Sequence, residues 1–328
     1  MKFYHDKDAN LKDIKDETVA VVGYGIEGRA QALNLRDSSF DVVVGNRDDD
    51  YTRTAIKDGQ QVMSIEDAVG KSSIAMMLIP DQAHAAVYDS IESKLNEGDM
   101  IVVAHGYSLH FKQMKPRSDL DVVMLAPRMP GGPIRDAYLD GKGVPAFFDV
   151  YQNATGRAKE RGLALAKAIG FTRAGVAEVS VAHETEMDLF MEQYFVAGII
   201  QLMANSYEVL DGKGFPREAI VSELYASGEI GEVLLKAAQQ GVFKAFRKNA
   251  SPTCQFGIAQ SRALGFFEGG RGPKDILRNI QDGSFADSLE AEARQGYGFL
   301  EGYDKMNAKK PMTKAFEEWR KGVDGSDE

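Results

Sequence analysis

The chain has 328 residues, 44% hydrophobic and 27% charged, with a formal net charge of −10; that is room for two domains and the composition of an ordinary globular protein. The acidic balance argues against a nucleic-acid partner, which needs clustered Lys and Arg to neutralise phosphates. One cysteine, Cys254, excludes an intramolecular disulfide and a cysteine-built metal site and fits a reducing cytoplasm. No stretch approaches about 18 uninterrupted apolar residues and residues 1–16 lack a signal-peptide core, so neither membrane insertion nor secretion is expected.

From Thr18 to about Gly175, short β-branched runs alternate with helical segments. Residues 19–22, 41–45, 74–79, 100–104 and 121–125 read as buried parallel strands, with helices predicted over 30–38, 64–69 and 88–95. Residues 146–150, a helix over 158–169 and residues 177–181 extend the same sheet. This alternation predicts a doubly wound, Rossmann-type α/β domain over residues 1–181. Beyond it, helical spacing over 184–210, 216–225, 231–240 and 286–296 predicts an all-α domain over 182–328. Its small acidic end, residues 322–328, is expected to fray.

Gly23-Tyr24-Gly25-Ile26-Glu27-Gly28 follows the first strand and opens a helix, the context in which a G-x-G-x-x-G turn binds a dinucleotide. Gly23 permits the tight turn, Gly25 lets the backbone approach a diphosphate, and Gly28 allows close helix–sheet packing, with the diphosphate on the helix N-terminus. Tyr24, Gly25, Ile26, Glu27 and Gly28 are the candidate cofactor residues here. Cofactor choice is written after the second strand, in Gly45-Asn46-Arg47-Asp48-Asp49-Asp50. Arg47 suits adenine or a 2′-phosphate, whereas acidic residues such as Asp50 suit free ribose hydroxyls; the balance favours NADH slightly over NADPH. His105 ends a strand at the edge where doubly wound sheets bind ligands, placing it to shuttle a proton or position metal-bound water. His5, His84, His110 and His183 have no such context and read as ordinary surface or structural residues. Cys254 reads as a small buried side chain rather than a nucleophile.

In Glu184-Thr-Glu-Met-Asp188-Leu-Phe-Met-Glu192, Asp188 and Glu192 share one face of a helix. A solvated acidic face is the plain explanation, but apolar residues wrap most of the helix from Leu189 to Ile200, which predicts burial. Buried carboxylates need a compensating partner, and a hard divalent cation such as Mg²⁺ is the simplest.

Together with Pro80-Asp-Gln, Ala104-His-Gly-Tyr107, Ala126-Pro-Arg-Met-Pro-Gly131, Arg173-Ala-Gly175 and residues 280–286, these motifs resemble, in order and over essentially the whole chain, the short form of ketol-acid reductoisomerase. The resemblance implies conversion of 2-acetolactate or 2-aceto-2-hydroxybutyrate to a 2,3-dihydroxy acid in branched-chain amino-acid synthesis. An Mg²⁺-dependent alkyl shift comes first, and reduction by NAD(P)H follows. It also implies a knotted helical domain and a homodimer or higher oligomer. Asp188 would bridge two Mg²⁺ ions, with Glu192 a ligand of one; Glu223 and Glu229 would supply the second carboxylate pair. His105, Arg128 and Glu192 would be catalytic, Gly131 would border the cofactor, and Ser251 would contact the substrate carboxylate.

Three departures bear on the isomerisation. The second family pair is spaced by four residues, but here Ser227 lies four after Glu223 and the next carboxylate is Glu229. A spacing of six puts two residues on opposite sides of a regular helix, unless Gly228 breaks it. Arg128 stands where the family usually has lysine, and Gln255 where it has glutamate. The alternative reading is therefore a diverged paralogue that reduces a 2-keto acid or imine without alkyl migration.

Overall fold

The strands form where short β-branched runs can be covered on both faces. The computed structural model describes residues 1–263, 274, 278, 282, 284–309, 313–315, 317, 321–322 and 325. Residues 280, 281 and 283 of the motif at 280–286 and most of the acidic end expected to fray lie outside the described residues. Contacts divide the chain into two units, Met1–Phe190 with Lys321–Glu328, and Met191–Arg320.

In the first unit nine strands form one sheet among the described residues. They are β1 (Phe3–Tyr4), β2 (Val19–Val22), β3 (Val42–Gly45), β4 (Gln61–Met63), β5 (Ile74–Met77), β6 (Met100–Val103), β7 (Asp121–Pro127), β8 (Ala146–Gln152) and β9 (Val176–Glu178). Their order is β1-β9-β8-β7-β6-β5-β2-β3-β4, and β4-β3-β2-β5-β6-β7 are mutually parallel. The order reverses between β2 and β5, the switch point at which doubly wound sheets bind dinucleotides. The extension expected beyond β7 is present but changes direction: β8 runs antiparallel to β7, and β1 pairs antiparallel with β9. Neither short edge strand, β1 or β4, was visible in the hydrophobic pattern.

Side chains alternate between two cores because strand residues point to opposite faces. Val19, Val21, Met100, Val102, Val123 and Leu125 join one apolar layer; Ala20, Val22, Ile101, Val103, Val122 and Met124 join the other. Helices α1 (Ile26–Asp37), α6 (Gly131–Leu139) and α7 (Ala158–Ile169) supply Leu35, Ile134 and Leu165 to the first layer. Helices α3 (Ile65–Gly70), α4 (His84–Ile91), α5 (Tyr107–His110) and α8 (Val181–Phe190) supply Val69, Ile91, Leu109 and Val181 to the second, and α2 (Asp50–Lys57) follows β3. At the N-terminal ends of the strands Arg161, 5% exposed, binds Asp121 at 2.7 Å, Glu17 at 2.6 and 3.0 Å, and the carbonyls of Gly98 and Ser73. Every donor direction of a buried cation is thereby used, which is the condition for keeping it.

The second unit is helical: α9 (Ala197–Asp211), α10 (Arg217–Val221), α11 (Glu229–Gln240), α12 (Val242–Asn249), α13 (Pro252–Ala263), and helices over Ser284–Arg294 and Gly298–Ala308. The single helix expected over 184–210 is instead α8, a π-wound segment Met191–Val196, and α9. A second π-wound segment, Ser222–Ala226, follows α10. Gly228 then takes φ +81°, a left-handed conformation that ends the winding so that α11 starts at Glu229. The burial expected for the apolar helix does not occur within one chain: Met191, Tyr194, Phe195 and Ile200 are all exposed. Intrachain burial in this unit centres on Phe256, Ala259 and Leu300. Cys254, expected to be buried, is exposed in the first turn of α13.

Candidate active site

Five loops leave the carboxyl ends of the parallel strands β2, β3, β5, β6 and β7, and the chemistry of the first unit gathers on them. After β2, Gly23 has φ +93°, and a Cβ there would meet Leu78 O at 2.6 Å. A Cβ on Gly28 would meet Gly23 O at 2.0 Å, so the first turn of α1 rests directly on the loop. Gly25, by contrast, has nothing within 4 Å of the Cβ position and caps α1 without a side-chain partner, leaving room and free N–H groups for an anion. Tyr24 is buried, its N–H donating to Asn46 Oδ1 at 3.2 Å and its hydroxyl to Asp58 at 3.1 Å. Burial, reinforced by Asp58, pushes its phenol up to about 12. Ile26 is exposed, while Glu27 accepts from Gln31 at 3.1 Å. Burial raises the Glu27 pKa against the opposing hydrogen bonds from Gln31 and the Gly131 N–H. Gly131 opens α6 so close to α1 that a Cβ would meet Ile26 O at 2.0 Å. A groove of about 320 Å³ runs here, lined by Gly25, Ile26, Arg29, Tyr51, Gly131 and Arg135 among others. Arg135 is held by Asn34 and Asp37.

After β3, Asp49 caps α2 by accepting from the N–H groups of Tyr51 and Thr52 and pairs with Arg47 at 3.1 Å. Asp50 pairs with Arg53, and both side chains are largely exposed. Each cation of this turn therefore faces an aspartate of the same turn, with Asp48 in excess.

After β6 and β7, four side chains converge on α8. Glu184 is fully buried, and its carboxylate accepts from the Gly106 N–H at 2.9 Å, from His105 Nδ1 at 3.0 and 3.1 Å, and from Arg128 Nη2 at 3.0 Å. The approach depends on Gly106, where a Cβ would meet Thr185 Oγ1 at 2.4 Å. The other fork nitrogen of Arg128 donates to Asp188 Oδ1 at 3.2 Å, and the guanidinium lies over Phe147 with its carbon 4.8 Å from the ring centre. Burial works against ionising Glu184, but the hydrogen bonds from His105 and Gly106 and the charges of His105 and Arg128 outweigh it, so its pKa lies below the ordinary value. Burial likewise disfavours charging His105, but the bond and charge of Glu184, with Asp81 and Asp188, raise its pKa. Asp81, partly buried after β5, is itself shifted upward, by burial first.

His105, Glu184 and Asp188 each offer a ligand atom within 4.8 Å of the others. Glu184 is nevertheless an unsuitable metal ligand, since its lone pairs serve three donors and His105 Nδ1 carries the hydrogen it donates. Asp188 differs: it is partly exposed, Arg128 takes Oδ1, and Oδ2 lies 3.9 Å from His105. Hard oxygen donors of this kind fit Mg²⁺.

Of the residues singled out from the sequence, the structure thus brings His105, Arg128 and Asp188 together, and groups Tyr24, Gly25, Ile26, Glu27, Gly28 and Gly131. Glu192, Glu223, Glu229 and Ser251 belong to the second unit and are exposed. Glu192 lies in the first π-wound segment, so regular α-helical spacing no longer fixes its face. Ser251 Oγ accepts from Cys254 N–H at 3.2 Å, and Gln255 is held by Arg247 and the Ala250 carbonyl. Glu184 was not among the candidate site residues read from the sequence; its place four residues before Asp188, on the same helix face, was the available signal. His84, expected to be an ordinary surface or structural residue, is of the structural kind: it is 2% exposed and hydrogen-bonded through both ring nitrogens.

A family model described as "Acetohydroxy acid isomeroreductase, NADPH-binding domain" matches residues 13–175, and one described as "Ketol-acid reductoisomerase, C-terminal domain" matches residues 181–324. The chain belongs to the ketol-acid reductoisomerase family. It is 37% identical over 326 residues to the ketol-acid reductoisomerase (NADP(+)) of Methanocaldococcus jannaschii, covering 98% of each chain. It is 42% identical over 259 residues to that of Pyrobaculum arsenaticum, covering 78% of each. The solved structure of an NADH-preferring ketol-acid reductoisomerase from an uncultured archean superposes with a TM-score of 0.77 at 33% identity, covering 98% of this chain and 99% of that one. Among the described residues no helix is long and apolar enough to cross a membrane.

Proposed function

We propose that the chain is a ketol-acid reductoisomerase that turns 2-acetolactate or 2-aceto-2-hydroxybutyrate into a 2,3-dihydroxy acid, in the cytoplasm, in branched-chain amino-acid synthesis. The observation that carries this reading is the Glu184–His105–Arg128–Asp188 network on the same strand edge as the glycine turn. In the alkyl shift the migrating group moves from C2 to C3 with its bonding pair, the C2 hydroxyl loses a proton, and the C3 oxygen gains one. His105, fixed through Nδ1 by Glu184, is the group that takes and returns that proton, and Glu184 stabilises its charged form. Arg128 orients both acids and offsets their repulsion. Reduction then delivers hydride to C2 and a proton to its oxygen, for which the turn at Tyr24–Gly28 and Gly131 holds NAD(P)H.

Asp188 and Glu192, with Glu223 and Glu229, would hold two Mg²⁺ ions, which when bound polarise the substrate's hydroxyl and carbonyl oxygens. The left-handed Gly228 supports a role for Glu229, because the spacing of six from Glu223 is not read along one regular helix. Ser251 is the proposed contact for the substrate carboxylate. For the nicotinamide cofactor the aspartate excess after β3 supports NADH, since no cation of that turn is left unpaired for a 2′-phosphate. The exposed apolar residues of the second unit support a homodimer or higher oligomer.

The test is oxidation of NADH and NADPH with 2-acetolactate and Mg²⁺. Turnover that needs Mg²⁺ and favours NADH in kcat/KM is expected; reduction of 3-hydroxy-3-methyl-2-oxobutanoate without turnover of acetolactate would identify instead a reductase that has lost the isomerisation. Light scattering of the purified protein decides the oligomer.

A further inference from the structure

A buried residue with no role in the proposed chemistry bonds both the loop after β5, which packs against the cofactor turn, and the helix that follows the proton-handling histidine. His84, the first residue of α4, is 2% exposed. Its Nε2 lies 3.1 Å from the Ile79 carbonyl and its Nδ1 2.8 Å from Ser108 Oγ. A carbonyl only accepts, so Nε2 carries the hydrogen and Nδ1 accepts from the serine hydroxyl. That tautomer is neutral, in keeping with a pKa that burial lowers against the opposing charge of Asp81.

The two partners belong to different loops of the proposed chemistry. Ile79 follows Leu78, whose carbonyl packs against Gly23 of the cofactor turn. Ser108 is fully buried in α5, two residues after Gly106 and three after His105, both of which are bound to Glu184. We propose that His84 is a positioning residue, a two-sided tether that holds the His105 loop in register with the cofactor turn. It touches neither substrate nor cofactor and acts through Ser108 and Ile79. Groups that orient reacting residues from behind are worth about 10- to 100-fold in activity, because hydride transfer is steeply sensitive to distance and alignment.

The proposal rests on the activity proposed above. The test compares the full-length wild type with His84→Phe, His84→Gln, Ser108→Ala and the His84→Phe/Ser108→Ala double variant. Each is assayed on 2-acetolactate and on 3-hydroxy-3-methyl-2-oxobutanoate, with cofactor carrying hydrogen or deuterium at the transferred position. His84→Phe is expected to lower kcat about 10- to 100-fold, to leave cofactor Kd unchanged, and to raise the primary isotope effect on kcat as the hydride step becomes limiting. Ser108→Ala should shift both in the same direction, and the double variant should be no worse than His84→Phe alone, because both break one chain of contacts. His84→Gln, which has a donor and an acceptor at similar reach, should recover most of kcat. Wild-type kcat in the folded variants, an unchanged isotope effect, or multiplying losses in the double variant would overturn the tether. If His84→Phe fails to fold, Ser108→Ala and His84→Gln decide, since both keep the pocket filled. Inactivity of the wild type on both substrates would overturn the proposed activity and the tether with it; an active wild type with unaffected variants overturns the tether alone.

Discussion

Replacing Glu184 by glutamine isolates the charge at the centre of the site from its shape. Three donors converge on the Glu184 carboxylate, from the Gly106 N–H, His105 Nδ1 and Arg128 Nη2. A carboxylate can satisfy all three, whereas a glutamine offers one oxygen and turns its NH₂ group toward a donor. One buried donor is then left facing another, at a cost of about 1–3 kcal/mol in unfolding free energy. The bonds to His105 and Arg128 also lose their ionic component. A hydrogen bond to a charged group contributes about 1–1.5 kcal/mol more than a neutral one, so two of them remove about 2–3 kcal/mol of orientation and charge stabilisation. If that loss falls on the transition state, kcat drops about 30- to 150-fold. Cofactor affinity should be unaffected, because Glu184 touches no residue of the glycine turn. Steady-state oxidation of reduced cofactor with saturating 2-acetolactate and Mg²⁺, alongside urea unfolding, measures both effects. A folded Glu184→Gln protein with near wild-type kcat would refute the assignment of Glu184 as the anchor of His105 and Arg128.

Gly25→Ala and Gly28→Ala should separate binding from folding. The Cβ at residue 25 enters open space and should weaken NAD(P)H binding in a titration without changing stability, whereas at residue 28 it would sit 2.0 Å from Gly23 O and should cost about 1–3 kcal/mol of stability. Asp188→Asn should abolish most turnover and raise the Mg²⁺ concentration needed for half-maximal rate, since an amide offers one neutral oxygen to a hard cation. Arg161→Met strands the buried Asp121 and should destabilise the first unit by about 3–5 kcal/mol in chemical denaturation. Tyr24 sets an alkaline limb. Its phenol is raised to about 12, so the folded state resists an ionisation that the unfolded chain undergoes near pH 10. The stability this represents is complete below pH 10 and is lost as pH rises toward 12; it amounts to about 1–2 kcal/mol once screening through the partly exposed Asp58 is allowed for. Tyr24→Phe should flatten that part of the stability profile, measured by urea unfolding between pH 9 and 11, and an unchanged slope would count against it.

Much of the fold was legible because it rests on local patterns. Residues 19–22 form a strand with the bounds their β-branched run predicts, and the glycine turn follows directly. Helix α2 and the edge strand β4 were not legible: polar residues 50–57 and 61–63 carry little periodic signal, and packing against the sheet decides their structure. Asp188, Arg128 and His105 could be named from motif and position. That Arg128 spans Glu184 and Asp188 could not, because Asp188 and Glu184 lie 60 and 56 residues beyond Arg128 in the chain and meet it only where α8 reaches the end of β7.

The sequence by itself determined the doubly wound sheet, the dinucleotide turn and the acidic α8, since each follows from spacing within a few residues. Tertiary structure alone decided which carboxylate is the hub, and that His84 is a buried structural residue rather than a surface one. It also decided that π-wound segments and a left-handed Gly228 re-aim Glu192, Glu223 and Glu229. Those outcomes depend on burial and on partners distant in the chain, and a hydrogen bond's value is set by the desolvation around it rather than by the residues beside it in sequence.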